Sequence, residues 1–248
     1  MGKLHAASSG SRKYSRLYLL LFIFALSACS HHTTTSRGTS NTPQPSVSST
    51  PTRTQTQTQL PPATPGEYVE QGTASWYGVP FHGHRSANGE IYDMYQPTAA
   101  HRTLPFNSMI RVTNLNNGLQ TTVRITDRGP FVQGRIIDLS YAAAQSISMI
   151  GTGTAPVRLE LISGADPYIG NFSVQVGAFQ VQANAQHLQA HLQQEYGPTM
   201  IQTYDSPNGI FYRVRVGRLP SLAAAQQFAS ELHSDAFQTF VVRLDDKQ

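Results

Sequence analysis

The chain has 248 residues, 39% of them hydrophobic and 13% charged, with 18 Lys/Arg against 14 Asp/Glu and one cysteine. The net charge of +4 suggests a polyanion binder, but its distribution excludes one: residues 1–66 hold six basic residues and no acid, residues 67–165 seven of each sign, and residues 166–248 five basic and seven acidic. A single cysteine permits no intramolecular disulfide, so any folded part is held by packing alone.

The chain opens with basic residues (Lys3, Arg12, Lys13, Arg16), then an apolar run from Leu17 to Leu26, then small residues. This is the pattern of a secretory leader, and it is too short to span a bilayer, which takes roughly 20 apolar residues. Leu26-Ser27-Ala28-Cys29 resembles the lipobox of bacterial lipoproteins. The resemblance implies cleavage before Cys29, acylation of its sulfur and new amine, and a membrane anchor. Ser30 in place of Asp implies sorting to the periplasmic face of the outer membrane. Of the 37 residues 30–66, 27 are Ser, Thr, Pro or Gln. Such a segment cannot bury enough apolar surface to fold, and it reads as a tether. The expected organisation is leader 1–28, acylated Cys29 and tether 29–66, one domain at 67–165 and a second at 166–248.

The first domain reads as β-rich. Strands are expected at 72–77, at Met109–Asn114 with Ile110 and Val112 inward, and at Leu119–Thr126 with Val123 and Ile125 inward. Asn116-Asn117-Gly118 turns the last two into a hairpin. Ser140 caps a helix that begins Tyr141-Ala142-Ala143-Ala144 and carries Ile147 and Ile150 on its apolar side, and Pro156–Ile162 closes the domain. Short strands, many loops and one helix suggest a small barrel.

Residues 171–244 follow another rhythm. Phe172–Val176 alternates, 181–196 has helical spacing and stops before Gly197-Pro198, and strands follow at 199–204 and 210–216. Ser221 caps a second helix, and 239–244 ends the chain as a strand. The order βαββαβ gives an open antiparallel sheet with both helices on one face. Each helix follows a Val-Gly pair (176–177 and 216–217), which suggests a duplication. Period two places Phe172, Val174 and Val176 toward the helices. Gln175, Phe211, Arg213 and Arg215 then fall on the open face, where amides, guanidinium groups and a ring suit a neutral glycan.

The chemistry-bearing cluster lies in 76–141: Trp76-Tyr77-Gly78, Gly89-Glu90-Ile91-Tyr92-Asp93, Ala99-Ala100-His101, Asp127-Arg128-Gly129-Pro130 and Ile137-Asp138-Leu139-Ser140. Carboxylates beside aromatic rings suit a sugar polymer, with rings packing on pyranose faces and carboxyl groups moving protons at the glycosidic oxygen. Trp76 and Tyr77 alternate along a strand, so one belongs to the core and the other to the cleft. Tyr92 is a third ring for substrate. Asp127 before a Gly-Pro pair also suits a turn cap, Asp93 a loop brace, His101 a core hydrogen-bonding residue and Asp138 a helix-entry cap. His82 and His84 lack a third ligand, so no metal and no cofactor are expected.

With those blocks in view, residues 69–163 resemble the double-psi β-barrel of the rare lipoprotein A family and residues 171–244 resemble a SPOR domain. The resemblance implies a septal lytic transglycosylase that cleaves MurNAc–GlcNAc bonds of peptide-free strands and leaves 1,6-anhydro-MurNAc ends. It implies a SPOR domain that binds the same denuded strands, and division-site proteins as further partners. Carried over residue by residue, it places Glu90, Asp93, His101 and Asp127 in the active site. Asp127 is then the acid and base, Glu90 the neighbour that raises its pKa, His101 and Asp93 supports, and Asp138 a second candidate acid. The direction of Arg128 decides whether Asp127 is held low instead. A noncatalytic, expansin-like wall binder is the alternative. An RNA-binding βαββαβ module is disfavoured by the leader, the acidic second domain and the absence of an aromatic-rich strand.

Overall fold

The structure is a computed structural model that describes residues 67–234 and 237–244. The leader, Cys29 and the tether lie outside the described residues. The first domain comprises β1 (Val69–Tyr77), β2 (Thr98–His101), β3 (Met109–Asn114), β4 (Gln120–Asp127), β5 (Arg135–Ser140), α1 (Tyr141–Ser146) and β6 (Thr154–Ser163). The six strands close into a barrel in the order β1-β5-β2-β4-β3-β6. The pairs β1–β5 and β2–β4 are parallel and the other four antiparallel. Closure leaves no sheet edge within the barrel.

Alternation builds the core. Ile110, Val112, Val123, Ile125, Ile137 and Leu139 are fully buried, while Arg111 between two of them is exposed. The β3–β4 connection turns at Gly118, whose φ of 75° favours glycine. Asn114 and Asn117 both donate through their amides to the Ile147 carbonyl, which ties this hairpin to the end of α1. Ser140 accepts from the Ala143 N–H at 3.2 Å and so caps α1. Strands β2 and β5 were not among the expected elements, and they carry the central part of the site.

The second domain runs β7 (Ile169–Phe179), α2 (Gln182–Tyr196), β8 (Thr199–Ser206), β9 (Gly209–Ser221), α3 (Leu222–Ser234) and β10 (Phe240–Arg243). Its antiparallel sheet has the order β10-β7-β9-β8. Val174, Val176, Val214 and Val216 meet Ala185 and Leu192 of α2 and Ala229 and Leu232 of α3 in one core. Both helices therefore cover one face, and Ser221 caps α3 through the Ala224 N–H.

The opposite face differs from expectation. Gln175, Arg213 and Arg215 are 3%, 9% and 4% exposed, so the face is not open to water. The barrel lies against it: the Arg213 guanidinium sits 4.8 Å from the centre of the Phe131 ring, and Phe131 meets Phe240 edge-on at 5.9 Å. Side-chain periodicity within a strand tells the two faces apart but carries no information about a second domain.

Candidate active site

Register places the central carboxylates. In β2, Ala100 pairs with Asp127 of β4 on one side and with Asp138 of β5 on the other. Asp138 in turn pairs with Ser75 of β1. Laterally paired residues share a face, and Asp138 lies between two core residues, Ile137 and Leu139. The row Asp127–Ala100–Asp138–Ser75 therefore faces outward from the barrel. Two strand spacings separate the acids by roughly 10 Å at their Cα atoms, and only a methyl group stands between them.

Each acid is set by its surroundings. One oxygen of Asp127 accepts the Ala87 N–H at 2.9 Å and the Arg128 N–H at 2.8 Å. Desolvation nevertheless wins over these bonds and over the Arg213 and Arg128 charges, and it holds the carboxyl above its ordinary value. Asp138 is also raised, by burial first and by the charge of Asp127, against a 2.5 Å bond from Ser75 Oγ and the charge of Arg135. Arg128 itself turns away from Asp127: its guanidinium stacks 3.8 Å over Phe106 and donates to the His101 carbonyl. The backbone N–H of Arg128 bonds the carboxyl directly, and its guanidinium acts on it only through charge.

The rings divide as alternation requires. Trp76 packs against the barrel core and meets Tyr141 edge-on at 5.7 Å. Tyr77 faces the site and stacks on Tyr92 at 4.3 Å, and the Tyr92 hydroxyl donates to the Tyr77 carbonyl at 2.6 Å. The Tyr77 hydroxyl is buried without a hydrogen-bond partner. Burial first, then the charges of Asp127 and Asp138, push its pKa well up, so it stays a donor.

Three expected roles are corrected. Glu90 is not the neighbour that raises Asp127. Its exposed carboxylate is gripped by both terminal nitrogens of Arg124, at 2.9 and 2.7 Å, and this holds it low. Its contribution is positional: Ser86 donates to the Glu90 carbonyl and Arg85 bridges to Ile91, which closes the loop that brings Ala87 to Asp127. The acid that shares the outward row with Asp127 is Asp138, on the far side of Ala100. His101 is the second correction. It follows Ala100, so period two sends it to the other face, where it is 2% exposed. Its Nδ1 accepts the Thr103 and Leu104 N–H groups, so Nε2 bears the proton and donates to Glu70 at 3.0 Å. Burial lowers the pKa of His101 and keeps the ring neutral. Asp93, the third, braces a turn by accepting the Tyr95 N–H at 3.0 Å.

Glu70, which also accepts from the Tyr68 hydroxyl, was not among the expected residues. In the sequence it stands only as one acid in the run Val69-Glu70-Gln71, which is too general to single it out. Among the described residues no group of three or more His, Cys, Asp or Glu is placed to hold a metal ion.

Two matches to known sequences agree with this arrangement. Residues 69–159 match the sequence model described as lytic transglycolase, and residues 169–243 match that of the SPOR domain. Barrel, carboxylate row and appended βαββαβ sheet thus define a double-psi β-barrel protein with a SPOR domain. The chain is 59% identical over 103 residues to a Vibrio cholerae protein, and 59% over 100 residues to one from Campylobacter jejuni. Both are named endolytic peptidoglycan transglycosylase RlpA. These matches cover 42% and 40% of the chain, but only 39% and 36% of the relatives' own length. Among solved structures, an expansin from Clavibacter michiganensis overlaps with a TM-score of 0.32 at 14% identity, over 46% of this chain and 59% of that one.

Proposed function

We propose that the chain is an endolytic lytic transglycosylase acting on peptide-free peptidoglycan strands. The observation that carries this reading is the outward row of Asp127 and Asp138 across Ala100, with Asp127 held above its ordinary value by burial. A carboxyl whose pKa is raised holds its proton to higher pH than a free aspartate, as a general acid must. Asp127 gives its proton to the glycosidic oxygen as the C1–O bond of MurNAc breaks. The C6 hydroxyl of the same residue attacks C1, and its proton returns to the Asp127 carboxylate. Bonds and protons balance without water, and the product carries a 1,6-anhydro end. Asp138 supplies negative charge toward the oxocarbenium-like centre, and Tyr77 donates a hydrogen bond to the strand. Tyr92 holds Tyr77 in place.

The SPOR homology and the amide and guanidinium groups on the second sheet support binding of the same strands. The leader and Cys29 support an acylated protein on the periplasmic face of the outer membrane, enriched where denuded strands arise at the septum. Metabolic labelling with a palmitate analogue, lost in Cys29→Ser, tests the anchor. The activity is tested by incubating the chain with denuded glycan and weighing the products by mass spectrometry. Anhydro ends are expected. Reducing MurNAc ends would make the enzyme a hydrolase, and no release would make it a wall-binding protein.

A further inference from the structure

The face of the second domain that suits a glycan and the face of the barrel that suits cleavage cover each other. Tyr204, Asp205 and Pro207 of the β8–β9 end stand against Tyr77, Phe81, His84, Tyr92 and Asp127. The space left between them is about 10 Å³. That is room for about one water, whereas clefts that hold organic ligands enclose roughly 300–1,000 Å³. The Arg213 guanidinium lies 3.7 Å over the Tyr204 ring and 4.8 Å from that of Phe131, bridging the two domains. A sugar chain cannot reach Asp127 in this arrangement.

The junction is built to separate. At one end Arg243 donates to the linker carbonyls of Asp166, Pro167 and Ile169 and to Thr103 of the barrel, and its N–H donates to the Arg102 carbonyl. These bonds form a pivot beside the linker. Next to it, a polar cleft of about 480 Å³, lined by Glu70, Arg102 and Arg135 on one side and Gln226 and Thr239 on the other, interrupts the contact. Toward Asp127 the contacts are rings and guanidinium groups, not a shared apolar core. Polar, discontinuous junctions of this kind permit domain motion.

We propose that the second domain is a lid on the catalytic face: in the free chain Tyr204 and Arg213 close over Asp127, and a peptide-free glycan strand, by taking the same sheet face, opens it. This rests on the reading of both faces as glycan sites. Closure also brings the Arg213 charge toward Asp127, where it opposes part of the rise in pKa that burial causes. Binding to the sheet thereby licenses cleavage, and strands that the second domain does not recognise are spared.

The test uses the full chain in detergent, with Cys29→Ser so that introduced thiols stand alone, and with Phe131→Cys and Phe240→Cys. A short reducible bis-methanethiosulfonate linker joins the pair. The joined chain should release at least about tenfold less anhydro product than the same chain after reduction, since its competent state is removed. Denuded glycan added beforehand should slow the joining about fivefold or more, as expected when the ligand populates the open state. Full activity in the joined chain would overturn the lid. So would a joining rate that ignores glycan. Failure of both joined and reduced chains to release product would instead overturn the lytic reading, and the lid would then stand or fall on the joining rate.

Discussion

In the proposed reaction, Asp127 serves chemistry and fold at cross purposes. Its carboxyl is held up by desolvation, so ionising it in the folded chain costs stability. The contribution of such a group is whole below its ordinary value of 3.8 and is lost as pH rises through the higher folded value. Asp127→Asn removes the acid and should lower strand cleavage by about 10²–10⁴-fold. The same variant should unfold at a higher temperature than the parent at pH 7, because a neutral amide escapes the cost of ionising a desolvated carboxyl. That advantage should vanish below about pH 4, where the parent carboxyl is protonated in both states. Differential scanning calorimetry across pH reads both arms. A variant less stable than the parent at pH 7 would show that the two backbone N–H bonds need the anion.

Strand β2 organises the site at the scale of elements. Its four residues present Ala100 outward between the acids and His101 to the opposite face. Ala100→Val should fit the strand, since β-branched residues suit pleated backbone. It fills the gap where the proposed reaction puts the glycosidic oxygen, and turnover should fall about tenfold or more, with far-ultraviolet circular dichroism unchanged. Turnover equal to the parent's would place the scissile bond elsewhere. His101 has a different task. It satisfies two backbone N–H groups and Glu70 from within the wall. His101→Ala leaves these polar groups unpaired and should cost about 1–3 kcal/mol in chemical denaturation. Its kcat, measured on the fraction that remains folded, should stay within a few-fold of the parent's, and a loss matching that of Asp127→Asn would return His101 to the chemistry.

At the scale of the molecule, the Arg213 guanidinium links the two domains on the Asp127 side. Arg213 acts on Asp127 through charge and on Tyr204 and Phe131 through their rings. Arg213→Ala should move the alkaline limb of the pH–activity profile upward, because a positive charge that favours the Asp127 anion is gone. The same variant should bind denuded glycan more weakly, by about 1 kcal/mol or somewhat more if the lost contact is charge-assisted. Parallel rate and pull-down measurements separate the effects. An unmoved pH limb with weakened binding would show that Arg213 serves the strand alone.

Much of this protein was legible without coordinates. Alternation at 109–114 and 119–126 revealed a hairpin because one face of each strand is buried and the other wet. Ser140 and Ser221 announced helix starts because their hydroxyls satisfy N–H groups that the helix leaves unpaired. Spacing through Ala185, Leu188 and Leu192 marked α2, and the blocks around Glu90, His101 and Asp127 marked the region of the site. These are local properties, set by residues a few positions apart. Strands β2 and β5 escaped because Thr98-Ala99-Ala100-His101 is short and its neighbours supply its pairing. The partnership of Asp127 with Asp138, the retreat of His101 behind the strand, the capture of Glu90 by Arg124 and the closure of Tyr204 and Arg213 over the acid were all decided by tertiary structure. Each depends on which strands lie side by side or which domains meet, and register across a barrel is a property of the closed chain rather than of any segment within it.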